Sequence, residues 1–495
     1  MKVLFIYPDI LNYSLYKGTF YTGIASLSAV LKQNPRLSVS LIHLTKDISK
    51  KAFLSRVSSV GADLIAFSST SNMYPFVSKW ASWIKEDSSR IVIACGGVHP
   101  TISPDDVIKN PNIDIVCIGE GEYSLRELCD NMLKGLDTTA ISGLWVKDNA
   151  GLVHKNVARS RIDDLDSLPL PDRGIFDYPN LHSESEGKAT VMLSRGCPYS
   201  CTYCCNDILR RTTGISGGKY VRFKSVKRSI EELHSILDDY SFVKSFAFDD
   251  DILPLDKAWF REFSAEYKKK IKLPYDCNLR PNLVNDEIVS LLSDSGCAQV
   301  RMGIESGNDF IRNKVLNRNI TEKQLTDAFE LCHRAGLKIY SYNMLGLPFE
   351  DIDKMLETVR INAVLPTSAN QVTIFYPYEK TPLYDVCINN KLISGSAESV
   401  TDYSRSTMLK FGLITQNQII FMQRYFRLLV KLYAKIIKLS PDKSRKAAFV
   451  VKNILFSPFM SLTLLPAMNL LMDILWQNKP LSVLARKFNR RVLKK

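Results

Sequence analysis

The sequence predicts an α/β protein: two parallel-sheet domains followed by a helical C-terminal segment. Three observations carry this. Short apolar runs alternate with helix-like stretches through residues 1–135, the same alternation resumes at Thr190, and beyond residue 400 basic helical patterns replace it. The chain accordingly divides into an open-sheet domain (1–135), a hairpin and linker (136–187), a second α/β domain (188–400) and a basic helical region (401–495).

In the first domain, Val3–Tyr7, Ser38–His43, Asp63–Ser68, Ile91–Cys95 and Asp114–Ile118 read as strands. Thr22–Lys32 and the stretch near Phe76–Lys85 read as helices. Such a βαβ rhythm predicts a Rossmann-like, mostly parallel sheet, which takes ligands at the carboxyl ends of its strands. Three loops lie there: Ser68-Ser69-Thr70, Cys95-Gly96-Gly97-Val98-His99-Pro100 and Gly119-Glu120-Gly121-Glu122. Their glycines let a backbone approach a large ligand closely.

The linker region opens with a hairpin, Gly143–Val146 and Leu152–Asn156 around Asp148-Asn149-Ala150-Gly151. It ends in Leu168-Pro169-Leu170-Pro171, too rich in proline for a helix or a central strand. In the second domain Val191–Ser194, Ser245–Phe248, Gln299–Gly303, Lys338–Met344 and Gln371–Phe375 read as strands, with helices over 283–296 and Thr321–Ala335. About six βα units predict a partial, open (β/α)6 barrel of the TIM type, with chemistry at the strands' C-terminal ends.

The first of those strands runs into Arg-Gly-Cys-Pro-Tyr-Ser-Cys-Thr-Tyr-Cys-Cys, placing Cys197, Cys201 and Cys204 at C-x3-C-x2-C spacing. Three thiolates from one loop can hold three irons of a 4Fe–4S cube and leave the fourth iron open. A structural zinc site in a non-catalytic protein is the alternative, but zinc usually takes four ligands. The only nearby fourth thiol, Cys205, adjoins Cys204 and is badly placed to close a tetrahedron.

The cysteine spacing, with Tyr203 just before the third cysteine, resembles the signature of the radical S-adenosylmethionine (radical SAM) enzymes. The loops G-G-x-H-P and G-E-G-E resemble those of the cobalamin-binding domain found upstream of many radical SAM domains, a likeness covering most of residues 1–135. This implies a 4Fe–4S cluster on Cys197, Cys201 and Cys204, SAM on the open iron, and cobalamin against Ser68, Ser69, Gly96, Gly97, Gly119 and Gly121. By the same resemblance, Tyr203, Asp249, Asp250, Arg280, Glu305, Gly346 and Pro348 contact SAM. The aspartates belong to the run Asp249-Asp250-Asp251, Arg280 to C-N-L-R-P, Glu305 to M-G-I-E-S-G, and the last two to the turn Gly346-Leu347-Pro348. The D-x-H-x-x-G motif that supplies a cobalt ligand elsewhere is absent, and His99 reads as a loop-fixing residue.

The implied function is a cobalamin-dependent radical SAM enzyme that methylates an unactivated carbon. A radical rearrangement or cyclisation without methyl transfer is the rival. Auxiliary clusters are not expected, because no cysteine follows Cys387. The remaining thiols lie in apolar segments and read as packing. A low-potential donor of flavodoxin or ferredoxin type is the expected electron source, and no residue reads as a catalytic acid or base.

The net charge of +14 belongs to the tail. Residues 421–495 hold 16 Lys/Arg and two acids, Asp442 and Asp473, so residues 1–420 are neutral and a nucleic-acid partner is not expected. The opening Met-Lys-Val-Leu-Phe-Ile-Tyr-Pro reads as a buried strand and not a signal peptide, so the expected compartment is the reducing cytoplasm. Arg424, Arg427, Lys431, Lys435 and Lys438 recur every three or four residues between Ile419 and Leu439, forming one basic stripe on a helix. Asn453–Met472 carries no charge but contains Pro458 and Pro466, and a basic run at Arg486–Arg491 follows. Residues 419–495 therefore read as a helical cap on the barrel, as a peripheral contact with the inner membrane face serving a small or lipid-linked substrate, or as an RNA contact.

Overall fold

The computed structural model describes residues 1–10, 16–213, 219–393, 407–412, 414–439, 452–453, 457 and 466–469. Five parallel strands form the N-terminal sheet: β1 (Lys2–Pro8), β2 (Ser38–Leu44), β3 (Leu64–Ser68), β4 (Val92–Gly96) and β5 (Ile115–Cys117). Between them lie α1 (Thr22–Leu31), α2 (Lys50–Val60), α3 (Tyr74–Asp87), α4 (Val98–Ile102) and α5 (Pro104–Lys109), and α6 (Glu122–Lys134) follows β5. Apolar layers bury both faces, Phe5, Leu64 and Ala94 on one and Leu4, Ile65, Trp80 and Ile93 on the other, as a doubly covered parallel sheet requires.

The structure adds α2, α4, α5 and α6 to the sequence reading of this domain and places the hairpin differently. Helix α2 was not apparent in the pattern, because it buries only Phe53 and Val57; its start is fixed by Ser49, whose side chain accepts from the Ala52 amide. The hairpin β6 (Leu144–Lys147) and β7 (Val153–Lys155) extends the N-terminal sheet, with β6 antiparallel to β5. The sheet runs β2-β1-β3-β4-β5-β6-β7. The apolar Leu144 and Val146 join the same core as Ile115, which draws the hairpin onto the open edge of β5.

The second sheet has six parallel strands in chain order: β8 (Lys188–Val191), β11 (Ser245–Phe248), β12 (Tyr275–Leu279), β13 (Cys297–Glu305), β14 (Lys338–Leu345) and β15 (Ala369–Ile374). A short ribbon, β9 (Ser194–Arg195) with β10 (Arg222–Phe223), and helix α7 (Cys205–Thr212) interrupt the first crossover. Helices α8 (Val226–Asp239), α9 (Lys257–Lys270), α10 (Asp286–Asp294), α11 (Glu322–Arg334) and α12 (Ile352–Val364) connect the strands. The outward side chains Val300, Met302, Ile304 and Ile339 pack into one core with helical residues such as Phe263, Leu325 and Phe329. The sheet is the predicted curled, unclosed barrel.

After α13 (Pro382–Asn389), α14 (Gln416–Leu439) carries the predicted basic stripe. Most of its apolar face is not available to a bilayer. Met422, Phe426, Leu429 and Tyr433 pack against Met355, Leu356 and Val359 of α12. Arg427 Nε donates to the Asn370 carbonyl at 2.9 Å and Gln423 Nε2 to that of Val372 at 3.3 Å, both on β15. Leu428 and Leu432 stay out, 60% and 40% exposed. Among the described residues no helix is long and apolar enough to cross a membrane. Most of the uncharged run 453–472 and all of the basic run 486–491 lie outside the described residues.

Candidate active site

The three cysteines leave the barrel on the loop between β9 and α7. Gly196 starts that loop at φ +91°, and a Cβ there would overlap the Tyr220 carbonyl, so only glycine fits. A strap from the far side of the barrel clasps the loop. Thr202 Oγ1 donates to Val315 O at 2.6 Å, the Thr202 amide to Leu316 O at 3.2 Å, and Asn317 Nδ2 to Ser200 O at 2.9 Å.

Positive charge faces the thiols. Arg280 Nη1 stands 3.7 Å from Cys201 Sγ and Arg318 Nη1 4.0 Å from it, on two buried guanidiniums whose Nε atoms have no protein partner. The neighbouring Cys205 thiol is the main influence pulling the Cys204 thiol down to about 7, and Asn206 Nδ2 stands 3.7 Å from its sulfur. Burial, then the Asp251, Cys204 and Cys201 charges, lift the Cys197 thiol to about 11. Among the described residues no three His, Cys, Asp or Glu close on a point as ligands of a single ion would. Three thiols on one loop beside two guanidiniums fit a polynuclear, net-negative iron–sulfur group, whose thiolates sit on separate irons.

Of the residues expected at SAM, the structure gathers three around Cys201. Tyr203 Oη donates to Glu305 Oε1 at 3.2 Å, and Arg318 Nη1 donates to Tyr203 Oη at 3.2 Å while standing 3.7 Å from Glu305. Burial raises the Glu305 carboxyl against the pull of Arg318 and Tyr203, and Glu305 sits at φ +65°, a strained conformation of the kind found at functional sites. Arg280 completes the group, stacked on the Tyr199 ring at 3.7 Å. Gly346 and Pro348 follow β14. There the Leu347 amide donates to buried Glu350 at 3.0 Å, and Ile419 of α14 stands 3.3 Å from where a Gly346 Cβ would lie.

The aspartate run splits into three duties. Asp250 is fully buried, and its Oδ1 accepts from the Leu193 amide at 2.9 Å, the Ser194 amide at 2.6 Å and Ser194 Oγ. It pins the strand leading to the cysteine loop. Asp249 turns to Arg301, 3.6 Å away. Asp251 is the carboxylate beside the cysteine loop, accepting from Asn206 Nδ2 at 3.1 Å. Strand alternation then explains the barrel's inner wall: Arg301 and Glu305 on β13, and Tyr340 and Tyr342 on β14, are half-buried, while their neighbours Val300, Ile304 and Ile339 are buried outward. Arg301 also lies 3.4 Å from Asp276, itself paired with Lys188, so this wall is polar and charged.

The loops expected at cobalamin converge at the strand ends of the N-terminal sheet. The Ser69 amide donates to Gly96 O at 2.9 Å and the His99 amide to Ser69 O at 3.1 Å. Gly97 lies at φ +102°, and a Cβ there would stand 2.8 Å from both Ser69 N and O. Ser68, Ser69, Gly96 and Gly97 thus form one knot. Gly96 and Gly121 both border Cys117, and Gly119 faces Thr213 of the barrel, 3.0 Å from where its Cβ would lie. These four glycines and two serines line the carboxyl ends of the strands, where such a sheet takes a ligand, and Gly119 turns that edge toward the cysteine domain. His99 does fix its loop: Nδ1 is 3.1 Å from Ser71 Oγ, the ring packs on Tyr74 at 4.4 Å, and burial pushes its pKa down to about 4. An open cleft of about 510 Å³ lies elsewhere, at the β2 edge beside Lys17, His43 and Arg56, and contains none of these residues.

Ionic contacts join the two domains. Arg195, two residues before Cys197, donates Nη1 to Glu120 Oε1 at 3.0 Å and Nη2 to Glu122 Oε1 at 2.6 Å. Arg222 Nη1 reaches Glu120 Oε2 at 2.9 Å. Neither these pairs nor Arg318 was apparent from sequence, since each joins segments far apart in the chain.

Comparison with known proteins agrees with this geometry. The sequence profile of the Radical SAM superfamily matches residues 191–361, and that of the B12 binding domain matches residues 16–129. An uncharacterized methyltransferase of Pyrococcus horikoshii is 27% identical over 400 residues, 79% of this chain and 84% of the relative. The anaerobic magnesium-protoporphyrin IX monomethyl ester cyclase of Rubrivivax gelatinosus is 24% identical over 73% of this chain, which spans 65% of that protein. The solved structure of the cobalamin-dependent S-adenosylmethionine radical enzyme OxsB with aqua-cobalamin bound superposes with a TM-score of 0.66 at 17% identity, covering 99% of this chain and 75% of that one. The chain belongs to the radical SAM superfamily, in the branch that carries an N-terminal B12-binding domain.

Proposed function

We propose that the protein is a cobalamin-dependent radical SAM methyltransferase that places a methyl group on an unactivated carbon of a small molecule. The observation that carries this reading is the facing of the cysteine loop and the glycine-rich strand-end rim across one ionic interface, since methyl delivery to a substrate radical needs both centres at one substrate. When bound, the cluster with SAM supplies a hydrogen-abstracting radical and cobalamin supplies a methyl carrier.

The protein's own part is to hold and orient. Cys197, Cys201 and Cys204 would ligate the cluster, with Arg280 and Arg318 offsetting thiolate charge at Cys201. Tyr203, Glu305 and the Gly346–Pro348 turn would border SAM. Asp251 is better placed than Asp250 to meet its ammonium group, because Asp250 is fully buried with Oδ1 held by the Leu193 and Ser194 amides. Ser68, Ser69, Gly96, Gly97, Gly119 and Gly121 would cradle the corrin. Arg301, Tyr340 and Tyr342 would meet the substrate, and their polarity favours one rich in hydrogen-bonding groups.

The test is anaerobic reconstitution with iron, sulfide and hydroxocobalamin, followed by metal counts and analysis of SAM products. About four irons and one cobalt per chain, with 5′-deoxyadenosine released under reduction, supports the reading. Iron without cobalt removes methyl transfer by this route. The relative named as a cyclase supports the second reading, a radical cyclisation or rearrangement. SAM labelled in its methyl group separates the two, because only a methyltransferase passes the label to product.

A flavodoxin- or ferredoxin-type donor would supply the electron in the cytoplasm. Exposed Leu428 and Leu432 beside Arg427 and Lys435 favour a peripheral contact of α14 with anionic lipid. Flotation with vesicles containing phosphatidylserine tests that contact, and a protein left wholly in the unbound fraction rejects it.

A further inference from the structure

The glutamates of the Gly119–Glu122 loop do not point at the rim that their glycines form. Both turn to the other domain, and both meet the same side chain. Arg195 gives one terminal nitrogen to Glu120 and the other to Glu122. Ser26 Oγ holds Glu122 Oε1 at 2.8 Å, and the Ile162 amide holds Glu120 Oε2 at 2.8 Å. Arg222, the register partner of Arg195 across the β9–β10 ribbon, takes the remaining side of Glu120 and also donates to Ile162 O at 2.9 Å. The carboxylates are 19% and 5% exposed and Arg195 24%. Burial alone would raise the Glu120 carboxyl, but the two arginines and the Ile162 amide hold it down to about 2, so the contact stays ionised across the working pH range.

Such an arrangement is poor value as mere adhesive. Desolvating the charges offsets much of their attraction, and apolar side chains would hold two domains together as firmly. What a forked guanidinium between two carboxylates adds is direction: each terminal nitrogen of Arg195 meets its own carboxylate, so neither domain can slide without breaking a bond. The two ends are also short of slack. Arg195 is separated from Cys197 only by Gly196, whose site admits no side chain, and Glu120 and Glu122 flank Gly121 at the start of α6.

We propose that Glu120, Glu122 and Arg195 form a positioning clamp that sets the separation between the cobalamin rim and the cluster loop. The clamp rests on the cofactor reading above and assigns these residues no contact with either cofactor. Its consequence is that loosening it lengthens the gap between two filled centres and leaves each centre intact.

The experiment uses the full chain reconstituted with iron, sulfide and hydroxocobalamin and reduced to the paramagnetic cobalt(II) form. Wild type, E120Q/E122Q and R195K are compared. Metal counts and 5′-deoxyadenosine release report each centre; relaxation of the cobalt electron-spin signal by the reduced cluster, which falls steeply with distance, reports the gap. The expected result is unchanged metal content and 5′-deoxyadenosine release, with the relaxation enhancement lowered about twofold or more in both variants. Unchanged enhancement in variants with both metals in place overturns the clamp. Should the double variant lose its metals, E122Q alone, which keeps both arginines on Glu120, decides in the same way. Iron without cobalt in the wild type overturns the cofactor reading instead, and the metal count alone shows it.

Discussion

Arg318 Nη1 stands 4.0 Å from Cys201 Sγ, while its Nη2 donates to the Gly303 carbonyl at 2.8 Å. One guanidinium therefore ties the middle cysteine to the end of β13, with Glu305 and Tyr203 as its other neighbours. Arg318→Met keeps the length and removes the charge, leaving Glu305 with Tyr203 but without that cation beside it. Losing one charge-assisted bond costs about 1.5–3 kcal/mol. Iron retained after desalting is expected to fall to less than half of wild type, and wild-type retention would show that Arg318 does not support the cluster.

Cys204 and Cys205 are adjacent but have different expected roles. Cys205 opens α7 directly beside the Cys204 thiol. Cys205→Ser removes only the thiol outside the triad and is expected to bind about four irons per chain, whereas Cys197→Ser, Cys201→Ser and Cys204→Ser each lose the intact cluster. Iron and sulfide assays with absorption near 400 nm check this. A cluster lost in Cys205→Ser and kept in Cys204→Ser would reverse the assignment.

Gly97 is the tightest point of the strand-end rim. Alanine there takes on a left-handed backbone and a Cβ 2.8 Å from Ser69 N and O, at a cost of roughly 1–3 kcal/mol. Titration of Gly97→Ala with hydroxocobalamin is expected to show binding weakened tenfold or more, with iron content unchanged. Equal affinity would place the corrin elsewhere.

Buried Glu350 gives the turn after β14 a pH dependence. Burial pushes its carboxyl up from 4.5 to about 8 even though the Leu347 and Gly346 amides favour the anion. Between those values the folded state keeps a proton that the unfolded state has released, so stability falls as pH rises through the window and is full only below it. The upper bound is roughly 5 kcal/mol. Glu350→Gln removes the titration. Denaturant midpoints at pH 5 and pH 8 are expected to differ less in the variant than in the wild type, and equal pH slopes would reject the effect.

Much of the architecture was legible because parallel strands announce themselves as apolar runs with ligand loops at their ends. The cysteine triad and the rim glycines were legible because each is a short local pattern. What the pattern hid depends on contacts across the chain. Arg318 lies in a polar stretch between two asparagines at φ +51°, and nothing local marks it as the neighbour of Cys201. The run Asp249–Asp251 reads as one acidic patch, yet backbone direction sends its members to Arg301, to the Ser194 amide and to Asn206. The apolar face of α14 looked equally fit for lipid, and only the packing of Phe426 and Leu429 against α12 assigns it to the barrel.

A sheet that stops at six strands keeps what a closed barrel abolishes, a last strand with unpaired backbone. On β15 the carbonyls of Asn370 and Val372 are met by Arg427 and Gln423 of α14. Side chains of one helix thus stand where a seventh strand would add, and deny that place to the strand of another molecule. A chain cut before Gln416 would keep its cysteines, its rim and its clamp and still be a poorer protein, one whose barrel is left open to self-templated association.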